Sequence, residues 1–163
     1  AATVRESAAR ANTRLREVLT GMREPDGTGR GDAPLPDLRA LESLLSEGAP
    51  HQNPPSVTWR DIEPGELSRL SAERIRALHR TLSELLVNAG KHAPEAEVHV
   101  VLEGGDTHLS VTVSNSFQPP AAPALGTGYG LLGARERIHL VGGTFEAGAA
   151  ESGDFVVEVT LPW

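Results

Sequence analysis

Residues 71–94 constrain this chain more than any other stretch, because they spell one long helix with two unlike faces. At about 100° per residue, Ile75, Leu78, Leu82, Leu85, Leu86 and Ala89 gather into one apolar stripe, while Glu84, Asn88 and Lys91 share an arc of roughly 60° about 140° away. Ser71 is suited to cap the start, Glu73 meets the positive end of the helix dipole, and Pro94 stops the helix just after His92. An apolar stripe of that length needs other elements to cover it, so the chain must build a layered domain around this helix. The other arc collects a carboxylate, a carboxamide and a cation.

The covering layer is legible downstream. Val98, Val100 and Leu102 alternate with Glu97, His99 and Glu103; Gly104-Gly105 turns the chain, and Leu109, Val111 and Val113 alternate again, which predicts a hairpin with one buried face. Further strands are expected over residues 57–62, 144–147 and 155–161, with the last two joined by a glycine-containing turn. A short helix is expected over 37–45. Another is expected over 131–141, with its charged residues facing out and Gly142-Gly143 as its stop. The resulting class is α+β: a mostly antiparallel sheet with helices on one face.

Two segments fall outside this pattern. Residues 25–36 are rich in Gly, Pro and Asp and read as a flexible linker, so the folded domain is expected over 37–163. Before the linker, Val4, Ala8, Ala11, Leu15, Val18 and Met22 alternate spacings of four and three, a coiled-coil-like seam on a helix over residues 1–24 that cannot bury that seam alone. Residues 116–129 combine Pro119, Pro120 and Pro123 with Gly126 and Gly128, which forbids regular structure and predicts a mobile lid between hairpin and helix.

Composition narrows the partners. A formal net charge of −7 over 163 residues argues against nucleic acid or a polybasic membrane-surface role, and the chain has no cysteine for disulfide or thiolate chemistry. It carries no long apolar run and no signal-peptide pattern. The first residue is Ala1. The chain is therefore expected to be soluble as given and could be a fragment of something longer, in which a membrane segment elsewhere stays open.

Several motif readings compete for the glycines. Gly128-x-Gly130-x-x-Gly133 spells a dinucleotide fingerprint with Glu146 as its ribose acid, but that fingerprint needs a strand before the first glycine, and a proline-rich loop precedes it here. No phosphate loop ending in Gly-Lys-Ser/Thr and no H-E-x-x-H is present. His99 and His108 could lie near each other diagonally across the first hairpin, yet two strand histidines without a third ligand favour solvent over a metal. The polar arc of the long helix, taken with glycines that can close over phosphates, points instead to an ATP site holding Mg²⁺.

Glu84-x-x-x-Asn88-x-x-Lys91-His92, a hairpin ending in Asn115, Gly126-x-Gly128-x-Gly130-Leu131-x-Gly133-Ala134-Arg135-Glu136-Arg137 and then Gly142-Gly143 follow one another in an order that resembles the catalytic ATP-binding domain of sensor histidine kinases. The likeness runs over about residues 56–162 and is strongest to the nitrate-sensor and lipid-fluidity-sensor branch. It implies a two-layer Bergerat-type α/β sandwich binding ATP or ADP. By that resemblance Asn88 coordinates Mg²⁺, Glu84 orients or deprotonates the nucleophile, Lys91 and His92 face the phosphates, and Gly126, Thr127, Gly128, Gly130 and Leu131 close over them. It also implies a phosphoacceptor helix, of which residues 1–24 are a remnant, a homodimeric parent and a downstream response regulator.

Two departures from the family pattern stand out. Members usually end the hairpin with an Asp and a glycine pair that read adenine, whereas this chain has Asn115-Ser116-Phe117; Asn115 can still accept from and donate to the base. The helix carrying the acceptor His is missing, and His79 in the long helix reads as a packing residue rather than its substitute. Two other readings follow: a non-catalytic nucleotide-sensing module, and a serine kinase of the anti-sigma-factor type on the same fold.

Overall fold

The apolar stripe is buried as the helical pattern requires: Leu78 and Leu82 are fully enclosed, and Ile75, Leu85, Leu86 and Ala89 nearly so. The computed structural model describes residues 36–50, 52–116 and 129–163. The expected helix over 1–24, nearly all of the linker and residues 117–128, among them Gly126, Thr127 and Gly128, lie outside the described residues.

Helix α1 (Leu38–Glu47) begins at Asp37, whose carboxylate accepts from the Ala40 N–H at 3.0 Å, and it buries Leu41, Leu44 and Leu45. It ends at Gly48, where φ is 81° and an added Cβ would lie 2.9 Å from the Asn53 carbonyl, so only glycine fits. Strand β1 (Ser56–Arg60) follows, then a 3₁₀ turn (Pro64–Arg69) and helix α2 (Ala72–His92). Ser71 caps α2 by accepting from the Arg74 N–H at 3.3 Å. Strands β2 (Val98–Gly104) and β3 (His108–Ser116) form the expected hairpin. Helix α3 (Tyr129–Leu140) and strands β4 (Thr144–Ala149) and β5 (Asp154–Pro162) complete the described elements.

The five strands make one sheet in the order β1-β2-β3-β5-β4. Every neighbouring pair is antiparallel except β1 and β2, which run parallel because α2 provides the long crossover that a parallel pair needs. Register explains the core. Val100 faces Val113 and Val113 faces Val157; Leu102 faces Val111, which faces Val159 and then Phe145. All of these are buried, and so is the Leu109–Leu161 pair. The alternate residues, Thr112, Glu158 and Glu146 among them, occupy the opposite face, which stays partly or fully exposed. The described helices therefore cover one face, as the alternation predicts. At the chain's end, the Trp163 indole N–H donates to the Gly105 carbonyl at 2.8 Å and the Arg69 guanidinium stacks 4.0 Å above its ring.

The two strand histidines lie far apart. His99 lies opposite Ser114, while His108 lies opposite Pro162 at the other end of β3. Six residues of extended chain separate Ser114 from His108, about 20 Å, so the two imidazoles do not form a pair. The hairpin turn is longer than Gly104-Gly105 alone, and this sets the register.

Candidate nucleotide site

The polar arc of α2 is not simply a solvated face. Arg74, Ala77, Thr81, Glu84 and Asn88 recur at spacings of three and four and line a second stripe, and α3 packs along it. Three contacts establish the direction. A Cβ on Gly130 would sit 3.7 Å from the Asn88 amide nitrogen; Arg137 reaches Thr81 and Glu84; and Arg74 donates to the Val141 carbonyl at 3.2 Å. As the α3 number rises the α2 number falls, so the helices run antiparallel, with the start of α3 beside Asn88.

Glu84 is held on both oxygens. Arg137 donates from Nη1 to Oε2 at 3.2 Å and from Nη2 to Oε1 at 3.1 Å, a two-pronged charge-assisted contact. Arg80 approaches Oε1 at 3.9 Å. The Arg137 Nη1 also lies 3.4 Å from the hydroxyl of Thr81, a fully buried polar side chain. The Glu84 side chain remains 34% exposed. Arg137 corrects the expectation that the charged residues of α3 all face out: Arg135 and Glu136 do, but Arg137 turns inward. The signal was present in the spacing of Gly130, Ala134, Arg137 and Val141, which matches the α2 stripe.

The remaining residues of the resemblance are only partly gathered. Asn88 is half-buried one turn before the end of α2, while Lys91 and His92 are exposed in its last turn. Asn115 is half-buried near the end of β3, its amide donating to the Ser116 carbonyl at 3.2 Å. Gly130 and Leu131 lie in the first turn of α3, with Leu131 packed against the core. His79 is partly buried on α2, and desolvation lowers its pKa from the ordinary 6.5. Among the described residues no group of three or more His, Cys, Asp or Glu side chains could hold a metal. A hollow of about 330 Å³ lined by Arg60, Glu103, Thr112 and Glu158 lies on the bare face of the sheet, away from α2.

Comparison with known proteins bears on the family and the fold. Residues 73–163 match the family described as histidine kinase-, DNA gyrase B-, and HSP90-like ATPase. The sensor histidine kinase YxjM of Bacillus subtilis (strain 168) is 31% identical over 85 residues, 52% of this chain, and the chain spans 20% of that relative's length. The catalytic domain of histidine kinase ThkA superposes with a TM-score of 0.55 at 23% identity, covering 77% of this chain and 88% of that domain. The blue-light activated histidine kinase EL346 of Erythrobacter litoralis superposes with a TM-score of 0.51 at 18% identity, covering 76% of this chain and 42% of that one. Matching over more than half its length, and with the same sheet and helix layers as those catalytic domains, the chain belongs to the histidine kinase-, DNA gyrase B-, and HSP90-like ATPase family as an ATP-binding catalytic domain of the histidine-kinase type.

Proposed function

We propose that this domain transfers the γ-phosphoryl group of ATP to a histidine on a dimerisation helix of a two-component sensor kinase. The observation that carries the reading is the meeting of Glu84 and Asn88 with α3 in a chain of this family. In the transfer, an imidazole nitrogen of the acceptor forms a bond to the γ-phosphorus as the bond to the ADP oxygen breaks. The imidazole gives up its proton in this step, and Glu84 orients the nucleophile or takes that proton, as a carboxylate can.

Asn88 fits Mg²⁺. Its side chain is half-buried beside the start of α3, and its neutral carbonyl oxygen is a hard ligand of the kind Mg²⁺ takes beside water and phosphate oxygens. The bound ion would offset charge on the phosphates. Lys91 adds positive charge on the phosphate side, where His92 lies beside it, and Asn115 offers its carbonyl oxygen to the adenine amino group. Gly126, Thr127, Gly128, Gly130 and Leu131 present backbone N–H groups to the phosphates. Residues 1–24 are read as the end of a dimerisation helix and 25–36 as a linker, in a homodimeric parent that passes the phosphoryl group to a response regulator.

The test is to supply labelled ATP, Mg²⁺ and a separate acceptor helix. Label recovered as phosphohistidine on the acceptor is the expected result. Label on serine would favour the anti-sigma-type kinase instead, and nucleotide binding without transfer would favour a sensing module.

A further inference from the structure

The polar arc of α2 puts a negative charge where a negatively charged ligand has to come. Glu84 stands one helical turn before Asn88, about 6 Å along the axis, and a nucleoside polyphosphate beside Asn88 keeps net negative charge even with Mg²⁺ bound. An unopposed carboxylate at that distance would repel it. We propose that Arg137 sets the affinity for nucleoside polyphosphates by charge, without touching them: its hold on Glu84 makes this part of the arc neutral, so that phosphates can approach Asn88. The inference rests on the reading that phosphates bind at Asn88, and it needs no chemical role for Glu84.

Three observations carry it. The guanidinium meets both carboxylate oxygens, at 3.1 and 3.2 Å, so opposite charges are matched at contact distance. The pair is partly withdrawn from water: the Arg137 and Glu84 side chains are 22% and 34% exposed, and Arg137 Nη1 lies 3.4 Å from the hydroxyl of the fully buried Thr81. Solvent and salt therefore screen an unpaired charge less here than on an open surface. Arg80 approaches Oε1 at only 3.9 Å and is half exposed, so it replaces a small part of what Arg137 supplies. Finally, Arg137 sits two turns along α3 from Gly130, which lies beside the Asn88 amide. The neutralised carboxylate and the candidate metal ligand thus belong to one helix seam.

A clamp that merely fastens α3 to α2 would act alike on every ligand of the site and would show in the melting temperature. A charge effect has another signature. It grows with the negative charge of the ligand, fades as salt rises, and disappears when the partner carboxylate is removed as well.

Calorimetric affinities for ATP, ADP and adenosine, each with Mg²⁺, are measured in the full chain for the parent, Arg137→Met, Glu84→Gln, the Glu84→Gln/Arg137→Met pair and Asn88→Ala, with thermal melting of each. Arg137→Met is expected to weaken ATP roughly 10-fold at low salt, ADP less, and adenosine by no more than about twofold. Raising the salt to about 0.5 M is expected to shrink the ATP loss to about threefold or less. Glu84→Gln leaves the cation unopposed and is expected to tighten ATP by about threefold, while the pair returns to within about threefold of the parent. Equal weakening of ATP and adenosine by Arg137→Met, or no recovery in the pair, would overturn the charge role and leave a structural clamp. If Arg137→Met does not fold at the assay temperature, Glu84→Gln decides: ATP binding that is unchanged or weaker overturns the proposal, and binding tightened more for ATP than for adenosine supports it. Asn88→Ala keeps the two readings apart. Undiminished Mg²⁺-dependent ATP binding in that variant would withdraw the phosphate site and the role of Arg137 with it, whereas loss there without charge dependence at Arg137 would overturn the role of Arg137 alone.

Discussion

At the scale of single residues, the site turns on what a side chain can offer once α2 is packed. Asn88 is half-buried beside Gly130 and carries the one carboxamide of the α2 arc, so Asn88→Ala is expected to abolish the Mg²⁺-dependent part of nucleotide binding; calorimetry with and without the ion measures this, and an unchanged difference would take Asn88 out of the site. Asn88 and Glu84 were both visible in the sequence because their spacing alone puts them on one side of a helix. Arg137 was not, since a guanidinium in an Arg-Glu-Arg run looks the same whether it faces water or a carboxylate on another helix. His79 gives a prediction with a definite sign. Burial disfavours the charged imidazole, so the folded pKa lies below 6.5 and the unfolded chain takes up the proton first as pH falls. The neutral ring's contribution is intact above the unfolded value and is lost as pH drops below about 6.5 toward the folded pKa. Urea midpoints at pH 7.5 and 5.5 should therefore differ less in His79→Gln than in the parent chain.

At the scale of elements, the decisive feature is that α2 has two buried faces. The apolar stripe meets the sheet and α1, and the stripe of Arg74, Thr81, Glu84 and Asn88 meets α3. Hydrophobic periodicity finds the first face because it consists of leucines; the second is built from polar and small residues and reads as surface. The antiparallel run of α3 depends on how it is stopped. Gly142 adopts φ of 82° while its N–H donates to the His139 carbonyl at 3.0 Å and the Gly143 N–H donates to the Ile138 carbonyl at 3.0 Å. Gly142→Ala is expected to cost about 1 kcal/mol through its positive φ. Chemical denaturation measures that loss, and an unchanged midpoint would mean the turn relaxes at no cost.

At the scale of the whole molecule, the described residues close a hydrophobic cluster of their own, running from Leu38 to Trp163. A chain lacking residues 1–35 is therefore expected to keep its melting temperature and nucleotide affinity while losing whatever self-association the Val4 to Met22 seam supports. Scanning calorimetry and sedimentation check the two halves of that statement; a large drop in melting temperature would assign the leading segment to the fold. Reading along the chain was enough for the α+β class, the long helix with its cap and stop, the β2–β3 hairpin and the family, because each rests on local periodicity, turn chemistry or motif order within one stretch. It took the packed fold to reveal that β1 pairs parallel to β2, that β5 sits between β3 and β4, that His99 and His108 lie far apart, and that Arg137 closes on Glu84. Those are relations between segments distant in sequence. They depend on which surfaces bury each other best when all the layers pack at once, and no single stretch of chain carries that information.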